Sequence, residues 1–470
     1  MSFSSPVFLF LFLPIAIILA YIVRDEMRNI MLVVISIVFY WYGQRNFVLP
    51  LLCSIIFNYI TGLVIEQNKS KKIIRRVIFI LGVAGNVVLL YVFKYLNFSI
   101  ETINVLCDKS IRAIDLVLPI GLSFFTFKAI SYLADIYMGK SIAEKKLFDF
   151  ALYISFFPQI MSGPITRYCD FRTDLVRRKF KIEEISFGIE RLICGLGKKI
   201  IMSNTFAIVA DRAFNSMGDN ELTVVLSWLG SICYTLQIYF DFSGYSDMAI
   251  GIGELFGFYC KENFNYPYIS KSGTEFWRRW HISLGSWFRD YVYFPLGGSR
   301  VNKKTRLFMN LAVVWIMTGI WHGANWTFVV WGIYWLIVQV FEKFILFPEK
   351  LQHISSRVIY RIYILLCINF GWVIFRAPNL SVAWSYIKSM LGMNHIPVMN
   401  EFDLFLLKDN LILLTIGIIL STPIMKYMCD KKKNVTVFKI VKVSALLCMF
   451  LVCVAYSINV SYNPFIYFDF

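Results

Sequence analysis

Apolar runs of roughly 18 residues or more recur along this chain, and each is long enough to cross about 30 Å of hydrocarbon as a helix. Inside hydrocarbon every backbone N–H and C=O must find its partner within the protein, so only helices and closed barrels can span. The alternating pattern of barrel strands is absent. Of 470 residues, 58% are hydrophobic and 16% charged, a balance that a soluble domain rarely shows. The fold class expected is an all-α polytopic membrane protein with roughly 10–12 transmembrane helices.

The first run, about 5–23, carries its basic residues Arg24 and Arg28 behind it, and no A-x-A site follows. It therefore reads as a first transmembrane helix and not as a signal peptide. The formal net charge of +17 follows from Lys and Arg gathering in short cytoplasmic loops, so no nucleic-acid partner is implied. The ten cysteines are scattered without a C-x-x-C, which gives neither a disulfide framework nor a metal site. Cys169, in a basic loop, reads as an ordinary free thiol.

Hydropathy places further spans at about 30–43, 47–65, 77–97 and 114–138, with KSKKIIRR (69–76) as the clearest cytoplasmic loop. The segment LFDFALYISFFPQIMSGPITRY has basic loops at both ends and is interrupted by Pro158, Gly163 and Pro164. A re-entrant or interfacial segment fits both observations. A span at about 184–210 carries Lys198 and Lys199, and the stretch 222–258 is too long for one upright helix. Residues 261–306 are basic and aromatic, which suggests short helices lying at the cytoplasmic interface. The run 307–341 is expected to be a hairpin bent near 319–323, followed by spans at about 358–375, 409–428 and 440–460. A short amphipathic helix at 381–392 and the terminal FIYFDF are expected outside, with KYMCDKKKNVTVFK inside. Without repeats or a second soluble region, residues 1–470 read as a single membrane-embedded domain.

Two of the four histidines, His281 and His322, lie within 275–325. His322 sits in an apolar run, in WIMTGIWHGANWTF, with Gly319, Gly323 and Asn325 near it. Its imidazole suits general-base work near neutral pH, or it packs between helices as a satisfied polar group. His281 follows FWRRW, where anchoring at the interface is the simpler reading. His353 and His395 fall in polar linkers and read as solvated. Gln237, Asp241 and Tyr245 recur at four-residue spacing and give one polar helix face. Asp241 and Asp247 in an apolar run must face protein or water. Arg278, Arg279, Lys303 and Lys304 offer charge-assisted bonds to a phosphate-bearing donor. No nucleophile elbow, Walker loop, dinucleotide fingerprint or H-E-x-x-H occurs.

The succession FFTFKAISYLADIY, FFPQIMSGPITRY, YTLQIYFDFSGYSDMAIG, ENFNYPYIS, EFWRRWHISLGSWFRDYVYFPLGGSR and TGIWHGANW, from about 123 to 325, strongly resembles the membrane-bound O-acyltransferase (MBOAT) family. Within it the likeness is to the bacterial polysaccharide O-acetylation branch, and FIYFDF resembles that branch's chain end. The resemblance implies a ring of tilted helices around a central funnel. It implies that His322 is the catalytic histidine and that His281 occupies a second functional position, Asn or His across the family. It implies acetyl-CoA as the cytoplasmic acyl donor, with no metal. Arg278, Arg279, Asn325, Asp241 and Tyr245 are then the residues expected to bind the donor or line its route. A polysaccharide acceptor and an extracytoplasmic SGNH-type acetyltransferase are the partners expected, in the cell membrane.

Two other readings remain open at this point. The related teichoic-acid D-alanylation proteins share the WHISL-type and WHG-type motifs, although YFPLGGSR looks more like the polysaccharide branch. A transporter of an activated glycan or acyl carrier, making no bonds, would use Asp241, Asp247 and Lys128 as a polar path. No inverted repeat supports that path.

Overall fold

The computed structural model describes residues 1–178, 181–217, 221–348, 353–432 and 435–459. Among the described residues all regular structure is helical. Six helices among the described residues are long and apolar enough to cross a membrane, or seven if Glu401–Leu420 and Ile424–Lys431, bent by 63°, form one span. That is fewer than the hydropathy count, because several of the expected runs fold as short or charge-bearing helices. Phe8–Ile22 is one of the short ones. Asp25–Gly43 opens on Asp25, Glu26 and Arg28. The chain end FIYFDF lies outside the described residues.

The first of two compact units comprises Met1–Leu192 and Tyr245–Glu262. Its helix Lys72–Cys107 runs for 36 residues, so it continues about ten residues past the span end expected near 97. The span expected at 114–138 begins only at Leu122 and is 16 residues long. Gly121 sets that start. Its φ is +82°, and a Cβ there would lie 2.2 Å from the Ile160 carbonyl oxygen, so only glycine fits. The interrupted segment folds as two short helices, Leu147–Ser155 and Phe157–Ile160, broken at Phe156. Neither is long enough to span, as expected of a segment that does not cross.

The polar residues of this unit that a transport path would use are partnered within it. The Lys128 ammonium donates to Gln159 Oε1 at 3.0 Å and lies 4.6 Å from the Tyr153 ring centre. Asp247 pairs with Arg191 at 2.8 Å, and Arg191 also reaches Glu262.

The second unit comprises Ile193–Gly244 and Asn263–Phe470. The stretch read as too long for one upright helix is a single unbroken one, Val224–Leu255, 32 residues, whose residues from Tyr245 on belong to the first unit. Asp241 on it is fully buried and pairs with the buried Lys199 at 2.5 Å. The hairpin expected in 307–341 forms from Lys304–His322 and Trp326–Phe341. Glycines let its arms touch. A Cβ on Gly319 would stand 2.4 Å from the Phe328 carbonyl oxygen, and one on Gly332 2.5 Å from that of Trp315. Gly319→Val and Gly332→Val are each expected to lower stability in detergent by about 1–3 kcal/mol through overpacking. At Gly285 the nearest atom would be 3.4 Å away, an ordinary contact. Gly285→Ala is therefore expected to melt no lower than wild type.

The segment 261–306 corrects one expectation. It does form short helices, Gly273–Arg279 and Ile282–Phe288, but key aromatics point into the protein. Phe276 is 0% and Trp280 2% exposed. They join Trp277, Trp315, Trp331, Trp335 and Trp372 in a core of edge-on and stacked rings, with Trp277–Trp335 at 5.0 Å and Trp280–Trp372 at 4.7 Å. Such pairs add to the burial of their large apolar surfaces.

Candidate active site

His322 is the last residue of the helix Lys304–His322, at the tip of the hairpin. The turn after it depends on its sequence. Gly323 lies so close to the Phe328 ring that a Cβ would stand 2.2 Å from it. Asn325 then caps the return helix: its Oδ1 accepts from the Thr327 N–H at 2.9 Å, and its Nδ2 donates to the Pro378 carbonyl at 2.9 Å. The imidazole is 4% exposed. It stands edge-on to Trp331 at 5.0 Å, Trp321 at 5.0 Å and Phe375 at 5.2 Å. These walls exclude water from the ring and limit its orientations.

His281 precedes the helix Ile282–Phe288 with φ +44°, in the left-handed region. A residue with a Cβ adopts that conformation at a cost and keeps it only where its surroundings hold it. Asn263 supplies much of that hold. Its backbone carbonyl accepts from the Ile282 N–H at 2.9 Å. Its Oδ1 accepts from the Ser283 N–H at 3.1 Å and the Ser283 hydroxyl at 2.9 Å, and lies 3.2 Å from His281 Nδ1. The imidazole is 2% exposed and edge-on to Phe242 at 4.7 Å. It also meets Trp321 at 6.1 Å. One indole therefore contacts both histidines. Interfacial anchoring does not describe His281, because it is buried.

Burial pushes the His281 imidazole down to about 3 from the usual 6.5. The folded state holds the neutral ring where an unfolded chain would bind a proton. Between about pH 6.5 and 3 the unfolded state thus binds more protons, and stability falls as pH falls. His281→Gln is expected to flatten the acid-side loss of thermal stability by up to about 1.4 kcal/mol per pH unit over that window. Melting curves of both proteins at pH 7, 6 and 5 check this. Equal slopes would contradict it.

The helix leading to His281 is anchored by a residue far along the chain. Glu342, 2% exposed, accepts from the Gly273 N–H at 2.5 Å, the Thr274 N–H at 3.2 Å and the Tyr360 hydroxyl at 2.6 Å. The first turn of Gly273–Arg279 would otherwise leave these N–H groups without acceptors. Glu342→Ala is expected to cost about 2–5 kcal/mol, since each abandoned buried donor costs about 1–3. Glu342→Gln keeps one oxygen and is expected to lose less. Thermal stability in detergent measures both.

The remaining expected site residues divide. Arg278 is exposed beside this segment. The Arg279 guanidinium is engaged, donating to Glu275 Oε1 at 2.8 Å and the Asn265 carbonyl at 3.0 Å. The amide of Asn325 is spent on the cap, and Asp241 on Lys199. Tyr245 belongs to the first unit, where its ring stacks on Phe3 at 4.9 Å. What joins within the second unit is His281, Asn263, Ser283, Trp321 and His322. Sequence reasoning gave no role to Asn263 or Trp321, although both lie inside quoted motifs.

The protein-family model described as MBOAT, membrane-bound O-acyltransferase family, matches residues 142–386, which include both histidines. The chain is 39% identical over 399 residues to a probable alginate O-acetylase of Pseudomonas aeruginosa, covering 83% of this chain and 75% of that one. It is 33% identical over 452 residues to a peptidoglycan O-acetyltransferase of Helicobacter pylori, covering 88% and 85%. A teichoic acid D-alanyltransferase of Bacillus subtilis is 30% identical over 239 residues, covering 49% and 60%.

Proposed function

The chain belongs to the membrane-bound O-acyltransferase family, and from that premise we propose that it moves an acetyl group from cytoplasmic acetyl-CoA across the cell membrane for O-acetylation of an extracytoplasmic polysaccharide. It is an acyltransferase and a multi-pass membrane protein. The observation that carries the reading is the His322 imidazole, walled in at the hairpin tip and sharing Trp321 with His281.

In this reading His322 is the general base. It takes the proton of an acceptor hydroxyl as that oxygen attacks the thioester carbonyl carbon. The C–O bond forms and the C–S bond breaks. The imidazolium then returns its proton to the departing CoA thiolate. Aromatic walls suit such a step, since a dry site strengthens each electrostatic interaction made there. His281 orients the donor, and the exposed Arg278, Lys303 and Lys304 offer charge-assisted bonds to its phosphates. An SGNH-type acetyltransferase outside the membrane completes transfer to the glycan.

Acetyl transfer is favoured over D-alanyl transfer by the extent of likeness. Acetyl-transferring relatives match more than four fifths of the chain, the D-alanyl relative about half. Purified protein is expected to bind acetyl-CoA and release free CoA thiol when an acceptor is supplied. Failure to bind or consume it, with consumption of a D-alanyl thioester carrier instead, would select the alternative.

A further inference from the structure

The Asn263 carboxamide has one orientation that its neighbours allow. Its Oδ1 faces the Ser283 backbone N–H at 3.1 Å, a group that only donates. Turning the amide over would set NH₂ against N–H. The atom 3.2 Å from His281 Nδ1 is therefore an oxygen that only accepts. The second neighbour of Nδ1 is the Ser283 Oγ at 3.5 Å, whose hydroxyl donates to the same Oδ1 at 2.9 Å. A lone pair on Nδ1 would face two oxygens. A proton there satisfies the arrangement.

We propose that Asn263 is a positioning residue that holds His281 in the Nδ1–H tautomer, so that Nε2 is the ring's basic nitrogen. Which imidazole nitrogen carries the proton is set by the bond the other makes, and the outer partners that orient metal-bound histidines in the same way weigh about 10–100-fold on function. The left-handed backbone at His281, clamped by Asn263 through both its carbonyl and its side chain, fixes ring position together with tautomer. The ring's other named neighbours, Phe242 and Trp321, are uncharged. Burial, which disfavours the imidazolium, keeps the ring neutral and the tautomer meaningful. The functional part of this inference rests on the acyl-transfer reading.

The test is nitrogen NMR on protein labelled at histidine, with the His281 signal assigned by its loss in His281→Gln, alongside acetylation rates. Wild type is expected to show neutral His281 protonated at Nδ1. Asn263→Ala is expected to shift the ring toward Nε2–H and lower acetylation about 10–100-fold at unchanged membrane abundance. Asn263→Asp keeps the acceptor, so it is expected to retain the Nδ1–H bond and act faster than the alanine variant. Its carboxylate favours the imidazolium, which moves the acid limb of its rate profile to higher pH. An Nε2–H signal in wild type overturns the tautomer assignment. His281→Ala inactive beside Asn263→Ala fully active overturns the inference alone. His281→Ala fully active overturns the acyl-transfer role of His281 and the functional part with it.

Discussion

His322→Ala is expected to lower polysaccharide O-acetylation by about 10²–10⁴-fold, the range over which positioned acid–base groups act. The loss arises because, among the described residues, no other imidazole stands against Trp331 and Phe375. His281 meets Trp321 from its own segment and is held by Asn263. The buried ring also fills space between Trp331 and Phe375, so its removal costs packing. The variant is therefore compared at equal membrane abundance, with His322→Asn as a polar control of smaller volume change. Both are expected to be inactive. Near-normal acetylation by either removes His322 from the chemistry.

The second large effect is on stability. Lys199 is 2% and Asp241 0% exposed, and their ion pair is 2.5 Å long. Removing one partner strands the other charge in a low-dielectric interior, which typically costs 3–5 kcal/mol. Lys199→Met and Asp241→Leu are each expected to lose about that much, a large share of the roughly 5–15 kcal/mol that stabilises a folded protein. The double variant Lys199→Met, Asp241→Leu is expected to recover most of the loss, because apolar isosteres often replace buried pairs at little cost. Thermal unfolding in one detergent ranks the four proteins. An additive double variant would mean that the two residues act independently.

The sequence made much of this legible because hydrophobic length and charge placement act locally. The hairpin in 307–341 was readable from a run too long to cross once, but its bend, expected near 319–323, falls at 323–325, and Gly319 lies inside the first arm. The non-spanning segment was readable from Pro158 and from basic flanks. Gly121 was a weaker signal: its positive φ answers to Ile160, far along the chain, so the late start at Leu122 was not. The basic, aromatic character of 261–306 suggested an interface, yet it said nothing of Phe276 and Trp280 packing against Trp335 and Trp372.

The same divide holds at the site. His322 stood out as an imidazole in an apolar run. Arg279 and Asn325 looked equally available in sequence, but Glu275, Asn265, Thr327 and Pro378 already engage them. Asn263 was silent because its meaning lies in a bond to a residue 18 positions away. Pairing of this sort is set by tertiary geometry, which no local pattern encodes.

The central claim is bond-making acyl transfer through His322. Purified protein reconstituted in vesicles, with acetyl-labelled acetyl-CoA on the cytoplasmic face and an acceptor on the other, tests it most directly. Wild type is expected to place the label in an ester on the far side and release free CoA thiol, while His322→Ala does neither. Label crossing as intact thioester, or equal ester formation by His322→Ala, would contradict the account.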